Sequence, residues 1–82
     1  MRKFQVGQKY RMSDWFTGGS IFYEVDSIKS ETIRLKTKDV EPDGVFERYE
    51  EYPISHRENG DEYILFFTYC GEECAIYAVE VD

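Results

Sequence analysis

Between Thr32 and Lys38 the chain alternates apolar or neutral with cationic residues, as Thr-Ile-Arg-Leu-Lys-Thr-Lys. A period of two is the signature of a strand with one buried and one wet face. Ile33 and Leu35 are therefore expected inside, and Arg34, Lys36 and Lys38 outside. Four further stretches carry strand signals. Lys9 to Ser13 alternates. Ile21 to Asp26 places Ile21, Tyr23 and Val25 on one face. Glu62 to Tyr69 is rich in aromatic and branched residues, and Cys74 to Val81 sets Tyr77, Val79 and Val81 on one face. Val45 to Tyr52 reads as a strand, or as a strand running into a short helical turn. Pro53 ends it.

The breaks between these runs carry turn chemistry. Gly18-Gly19, Glu41-Pro42-Asp43-Gly44, Asn59-Gly60-Asp61 and Gly71-Glu72-Glu73 each combine residues that tolerate tight backbone conformations. Ser27 to Glu31 reads as a turn and Ile54 to Asp61 as a polar loop. No stretch has the 3.6-residue period of an amphipathic helix. Five to six short strands in 82 residues predict one all-β domain over residues 1–82, a small, strongly bent antiparallel barrel. The single place for a short helical turn is between Glu47 and Arg57.

Charge divides the chain. Residues 1–41 carry a net charge of +2 and residues 42–82 a net charge of -9, within a total of -7. Nucleic-acid binding needs cations to neutralise phosphate, so the balance argues against it and favours a basic protein surface as partner. The longest apolar run, Tyr63 to Phe67, is far short of a membrane span of about 20 residues. The N-terminus turns polar at once, without the apolar core of a signal peptide. A cytoplasmic, soluble protein is the expectation.

The opening Phe4-x-Val6-Gly7-x-x-Tyr10, then Tyr23-Glu24-Val25 and Thr32-Ile33-Arg34-Leu35, resemble the short Src-homology-3-like β-barrel proteins of bacterial phages and mobile elements. The resemblance covers residues 4–38. It implies a barrel fold and a mobile-element origin, and no site residues. Some small acidic phage proteins inhibit host restriction or CRISPR effectors by occupying cationic grooves, and the resemblance extends that expectation to the surface of this chain.

Catalysis finds few groups to use. His56 is the only histidine, and Ser55 beside it does not make a triad. Glu50-Glu51 and Glu72-Glu73 are consecutive, so on strands they point to opposite faces. Cys70 and Cys74 would meet across a tight hairpin as a disulfide, or stay free in a reducing compartment. A structural zinc needs about four ligands, more than two thiols and one distant histidine supply. A non-enzymatic binding protein without metal or cofactor is the expectation. Its partner-binding residues are the acidic–aromatic run Glu47, Tyr49, Glu50, Glu51 and Tyr52, flanked by Asp61 and Glu62, with Trp15 and Phe16 as loop anchors.

The run Tyr63-Ile64-Leu65-Phe66-Phe67 is apolar on both faces, and Ala75 to Val79 repeats the pattern. One face should fill the core. The other, with Ile64, Phe66 and Ile76, is either covered by a chain terminus or the 53–61 loop, or serves self-association as a homodimer or as a subunit of a larger complex.

Overall fold

The computed structural model describes residues 1–14 and 18–79. They form strands β1 (Lys9–Asp14), β2 (Gly19–Lys29), β3 (Thr32–Glu41), β4 (Gly44–Pro53), β5 (Ser55–His56), β6 (Glu62–Tyr69) and β7 (Glu72–Tyr77). All pairings are antiparallel, in two separate sheets of order β1-β2-β3-β4 and β5-β6-β7.

The all-β class stands, but the barrel does not. Among the described residues the sheets are open, and no strand closes either of them on itself. The resemblance to Src-homology-3-like barrels fails on the same finding, because that fold requires a closed or strongly curled sheet. The mobile-element origin and the inhibition of host defence followed from the resemblance, and they lose their support with it. The helical turn between Glu47 and Arg57 is absent too. β4 runs straight to Pro53, and the chain then crosses to the second sheet through buried Ile54.

The core lies between the sheets. Tyr23, Val25, Ile33 and Leu35 come from the first, and Ile64 and Ile76 from the second, with Phe4, Ile54 and Ala78 from connecting segments. β3 follows its sequence alternation faithfully, with Ile33, Leu35 and Thr37 buried and the residues between them exposed. Full burial of Ile33, Leu35 or Ile64 each stabilises the fold by about 1.5–3 kcal/mol relative to exposure. Phe66 clamps the layers together: its ring stacks on Tyr23 at 5.0 Å and meets Tyr52 edge-on at 4.8 Å.

Residues 1–8 tie the two layers at one side. Glu62 N–H donates to the Arg2 carbonyl at 2.9 Å, and Gly7 N–H donates to the Val25 carbonyl at 2.9 Å. Gly7 has a φ of 93°, a conformation that costs glycine little. Phe4, packed edge-on against Tyr10 at 5.8 Å, is the apolar anchor of this segment.

The turns are tighter than their sequences suggest. β2 continues to Lys29, so only Ser30 and Glu31 separate it from β3. Pro42 and Asp43 alone join β3 to β4, and Gly44 pairs with Glu41 inside the ladder without a positive φ. Cys70 and Gly71 turn β6 into β7, with φ of 51° and 80°, the two positive values of a type I′ hairpin. That geometry separates the cysteines. Cys70 is in the turn, whereas Cys74 pairs with Phe67, and both thiols are free. β7 ends at Tyr77, short of Val79, and Val81 lies outside the described residues.

Candidate partner-binding surface

β4 carries five of the nine partner-binding residues expected from sequence, and the structure makes it an edge strand. Its continuous register with β3 runs from Glu41–Gly44 to Thr32–Pro53 without a bulge. Strand alternation splits the acidic–aromatic run in two. Glu47, Tyr49 and Glu51 face outward, opposite Lys38, Lys36 and Arg34 of β3. Arg34 also lies over the Tyr49 ring, 4.6 Å from its centroid. These glutamates thus belong to cross-strand rows of opposite charge and form no uniform acidic patch.

The other side of β4 is structural. Arg48 binds Asp39 and Glu50 at once, which holds Glu50 in an internal pairing. The hydrogen bond that Arg48 donates to Asp39, reinforced by Glu50, pushes the guanidinium above its ordinary value. Tyr52 packs against Phe66 at the core margin. Glu50 and Tyr52 therefore leave the set of freely available contact residues.

Asp61 and Glu62 hold the N-terminal segment. Arg2 N–H donates to Asp61 Oδ1 at 2.7 Å, and Phe4 N–H donates to Glu62 Oε1 at 2.8 Å. The first of these bonds lowers the Asp61 carboxyl below its ordinary value. Asp61 N–H also donates to Asn59 Oδ1 at 3.0 Å, which closes the loop after β5. Trp15 and Phe16 lie outside the described residues.

The self-association set needs correction. Ile64 and Ile76 pair with each other and point into the core, with 0% and 7% exposure, and Phe66 is held between Tyr23 and Tyr52. Phe66 is also the extra residue where the β6–β7 register slips between Leu65 and Phe67. Among the described side chains of these strands, the large apolar ones left exposed are Leu65, Phe67 and Tyr77. Alternation groups Leu65 with Phe67 and Ile64 with Phe66, as the structure does, but with both faces apolar it does not say which one is exposed.

A shallow concavity of about 390 Å³ on the outer face of the first sheet was also not anticipated, and Lys9, Phe22, Lys36 and Lys38 help line it. Phe22 alternates out of the core in the sequence, and that was the available signal. His56 is placed between two carboxylates, with Nδ1 3.7 Å from Glu31 and Nε2 3.6 Å from Glu62. Ser55 pairs with Tyr63 and His56 with Glu62, so the two side chains point to opposite faces.

No protein-family model, curated protein or solved structure matches the chain.

Proposed function

We propose that this is a non-enzymatic binding protein whose acidic edge strand β4 engages a basic protein surface. The observation that carries the reading is the placement of Glu47, Tyr49 and Glu51 together on the outward side of a sheet edge. Each glutamate has a cation of β3 on one side, and among the described residues no strand pairs on the other. A partner lysine or arginine at the open side would extend the alternation of charge, and Tyr49, 53% exposed, offers a ring for cation–π contact. The net charge of -7 adds long-range attraction for such a partner.

The test is affinity capture from native cells on immobilised wild type and on the Glu47→Lys/Glu51→Lys variant. Glu50 stays unchanged because it holds Arg48. A partner retained by wild type, released by high salt and lost from the variant is the expected result. Equal retention by both proteins, insensitive to salt, overturns the reading.

The exposure of Leu65, Phe67 and Tyr77 favours a second reading, an assembly module that buries the outer apolar side chains of β6 and β7. Light scattering across a concentration series tests it. A strict monomer with no partner captured through these residues counts against it.

A further inference from the structure

The ladder between β3 and β4 determines which main-chain groups of β4 are available. A two-residue loop closes on Glu41 and Gly44, so that pair exchanges both of its hydrogen bonds. Alternation then directs the N–H and C=O of Phe46, Arg48, Glu50 and Tyr52 to β3. Ile54 N–H, which donates to the Glu31 carbonyl at 2.7 Å, continues the same parity beyond the strand. The main-chain groups of Val45, Glu47, Tyr49 and Glu51 consequently point away from the sheet. Among the described residues no backbone hydrogen bond outside the ladder reaches them. Pro53, which has no N–H, occupies the next outward position, where a donor is not needed.

We propose that β4 takes its partner as an added strand: an extended segment with lysine or arginine at alternate residues, paired to the main chain of Val45, Glu47, Tyr49 and Glu51. The proposal rests on the reading of β4 as the site for a basic partner and specifies how that partner binds. Strand addition uses the row of unpaired N–H and C=O groups for affinity and the flanking side chains for selectivity. In this geometry cations of the added strand stand beside Glu47 and Glu51, on the side away from Lys38 and Arg34.

Charge also decides between a foreign segment and a second copy of the chain. Antiparallel pairing of two β4 strands about a two-fold axis sets like charges face to face in each central register. An axis at residue 47 opposes Glu47 to Glu47, one at 48 opposes Arg48 to Arg48, one at 49 opposes Glu47 to Glu51 and sets Arg48 against a Glu50 that its own chain already pairs, and one at 50 opposes Glu50 to Glu50. Like charges directly opposite are destabilising. A basic strand has no such conflict on the outward row.

The probe is an acetylated and amidated peptide, Thr-Lys-Thr-Lys-Thr-Lys-Thr, titrated into the whole protein at low salt with amide hydrogen exchange as a second readout. With its lysines on the outward row, the lysine amides face β4 and the threonine amides face solvent. N-methylation of the lysine amides is expected to weaken binding about tenfold or more, and N-methylation of the central threonine amides to have little effect. Exchange at Val45, Glu47, Tyr49 and Glu51 should slow on binding, while Phe46, Arg48 and Glu50 are already protected without peptide. The Glu47→Lys/Glu51→Lys variant should lose the peptide.

Equal weakening by both methylations, with the four amides still exchanging fast, overturns strand addition and leaves the basic-partner reading intact. Retained binding by the charge-reversed variant overturns the basic-partner reading instead. Absence of binding at low salt overturns both. Protection of the same four amides by raising protein concentration alone gives the edge to a second copy and overturns the proposal.

Discussion

The two sheets bury their residues by different rules. In the first, β3 sits between two partners and alternates without interruption, so each side chain has one face to choose. In the second, β6 also has a partner on each side, but β5 is only two residues long and the β6–β7 register slips at Phe66. Most of β6 is therefore paired on one side only. Its packing is decided by what lies across the core, chiefly Tyr23 and Tyr52, as much as by its own pattern. A long central strand makes its faces explicit, whereas a short sheet with a bulge depends on its neighbours.

Alanine substitutions test that contrast with the largest expected effect. Leu35→Ala and Ile64→Ala should each cost about 2–5 kcal/mol in urea unfolding, because both side chains are fully buried. Leu65→Ala, on the wet side of β6, should cost less than about 1 kcal/mol. Equal losses for Ile64→Ala and Leu65→Ala would break the assignment of faces in the second sheet.

A pair of prolines on the edge of the first sheet gives the next largest difference. Phe46→Pro removes an N–H directed to β3 and should cost about 1–3 kcal/mol. Val45→Pro removes an N–H directed outward and should be the milder change. Comparison of their urea midpoints checks the parity of the β4 ladder. A Val45→Pro protein less stable than Phe46→Pro would reverse it.

Thr37 sharpens the comparison from within β3. Its buried hydroxyl has no hydrogen-bond partner among the described residues. Thr37→Val should raise stability by about 1 kcal/mol, since it removes a desolvated and unpaired polar group while keeping the branched shape. Thermal unfolding of the two proteins measures the gain, and a loss would show that the hydroxyl is satisfied.

The smallest effect concerns the tie between the N-terminal segment and the second sheet. The bond from Arg2 N–H depresses the Asp61 carboxyl in the folded state. A depressed folded value contributes stability above the ordinary carboxylate range and loses it as pH falls through the folded value. Wild type should therefore destabilise more steeply with acid below about pH 4 than Asp61→Asn. Identical acid profiles would remove this bond as a contributor.

The readable part of the fold was the part governed by local period and turn chemistry. The Pro42-Asp43 turn, the inward placement of Ile33, Leu35, Tyr23 and Val25, and the strand positions follow from neighbours within a few residues, except that β5 falls in the stretch read as a polar loop and β2 runs on through residues 27–29, read as a turn. Closure does not. Whether a set of strands curls into a barrel or splits into two sheets depends on which edges meet, and Pro53 ends β4 without saying which sheet the chain enters next. The candidate surface was half legible. Its residue types were visible as an acidic–aromatic run, but the hold of Arg48 on Asp39 of β3 as well as on Glu50, and the use of Asp61 and Glu62 by the N-terminal segment, bring together residues far apart in the sequence.

By itself the sequence determined an all-β chain, an acidic second half and a strand from Val45 onward. These depend on side-chain period and on charge, which are properties of neighbouring residues. Only the tertiary structure decided that β4 is an edge, that its outward glutamates face cations of β3, and that Ile64 and Ile76 are core. Those outcomes depend on which strands pair and which faces meet, and a one-dimensional pattern does not encode that choice when both faces of a strand are apolar.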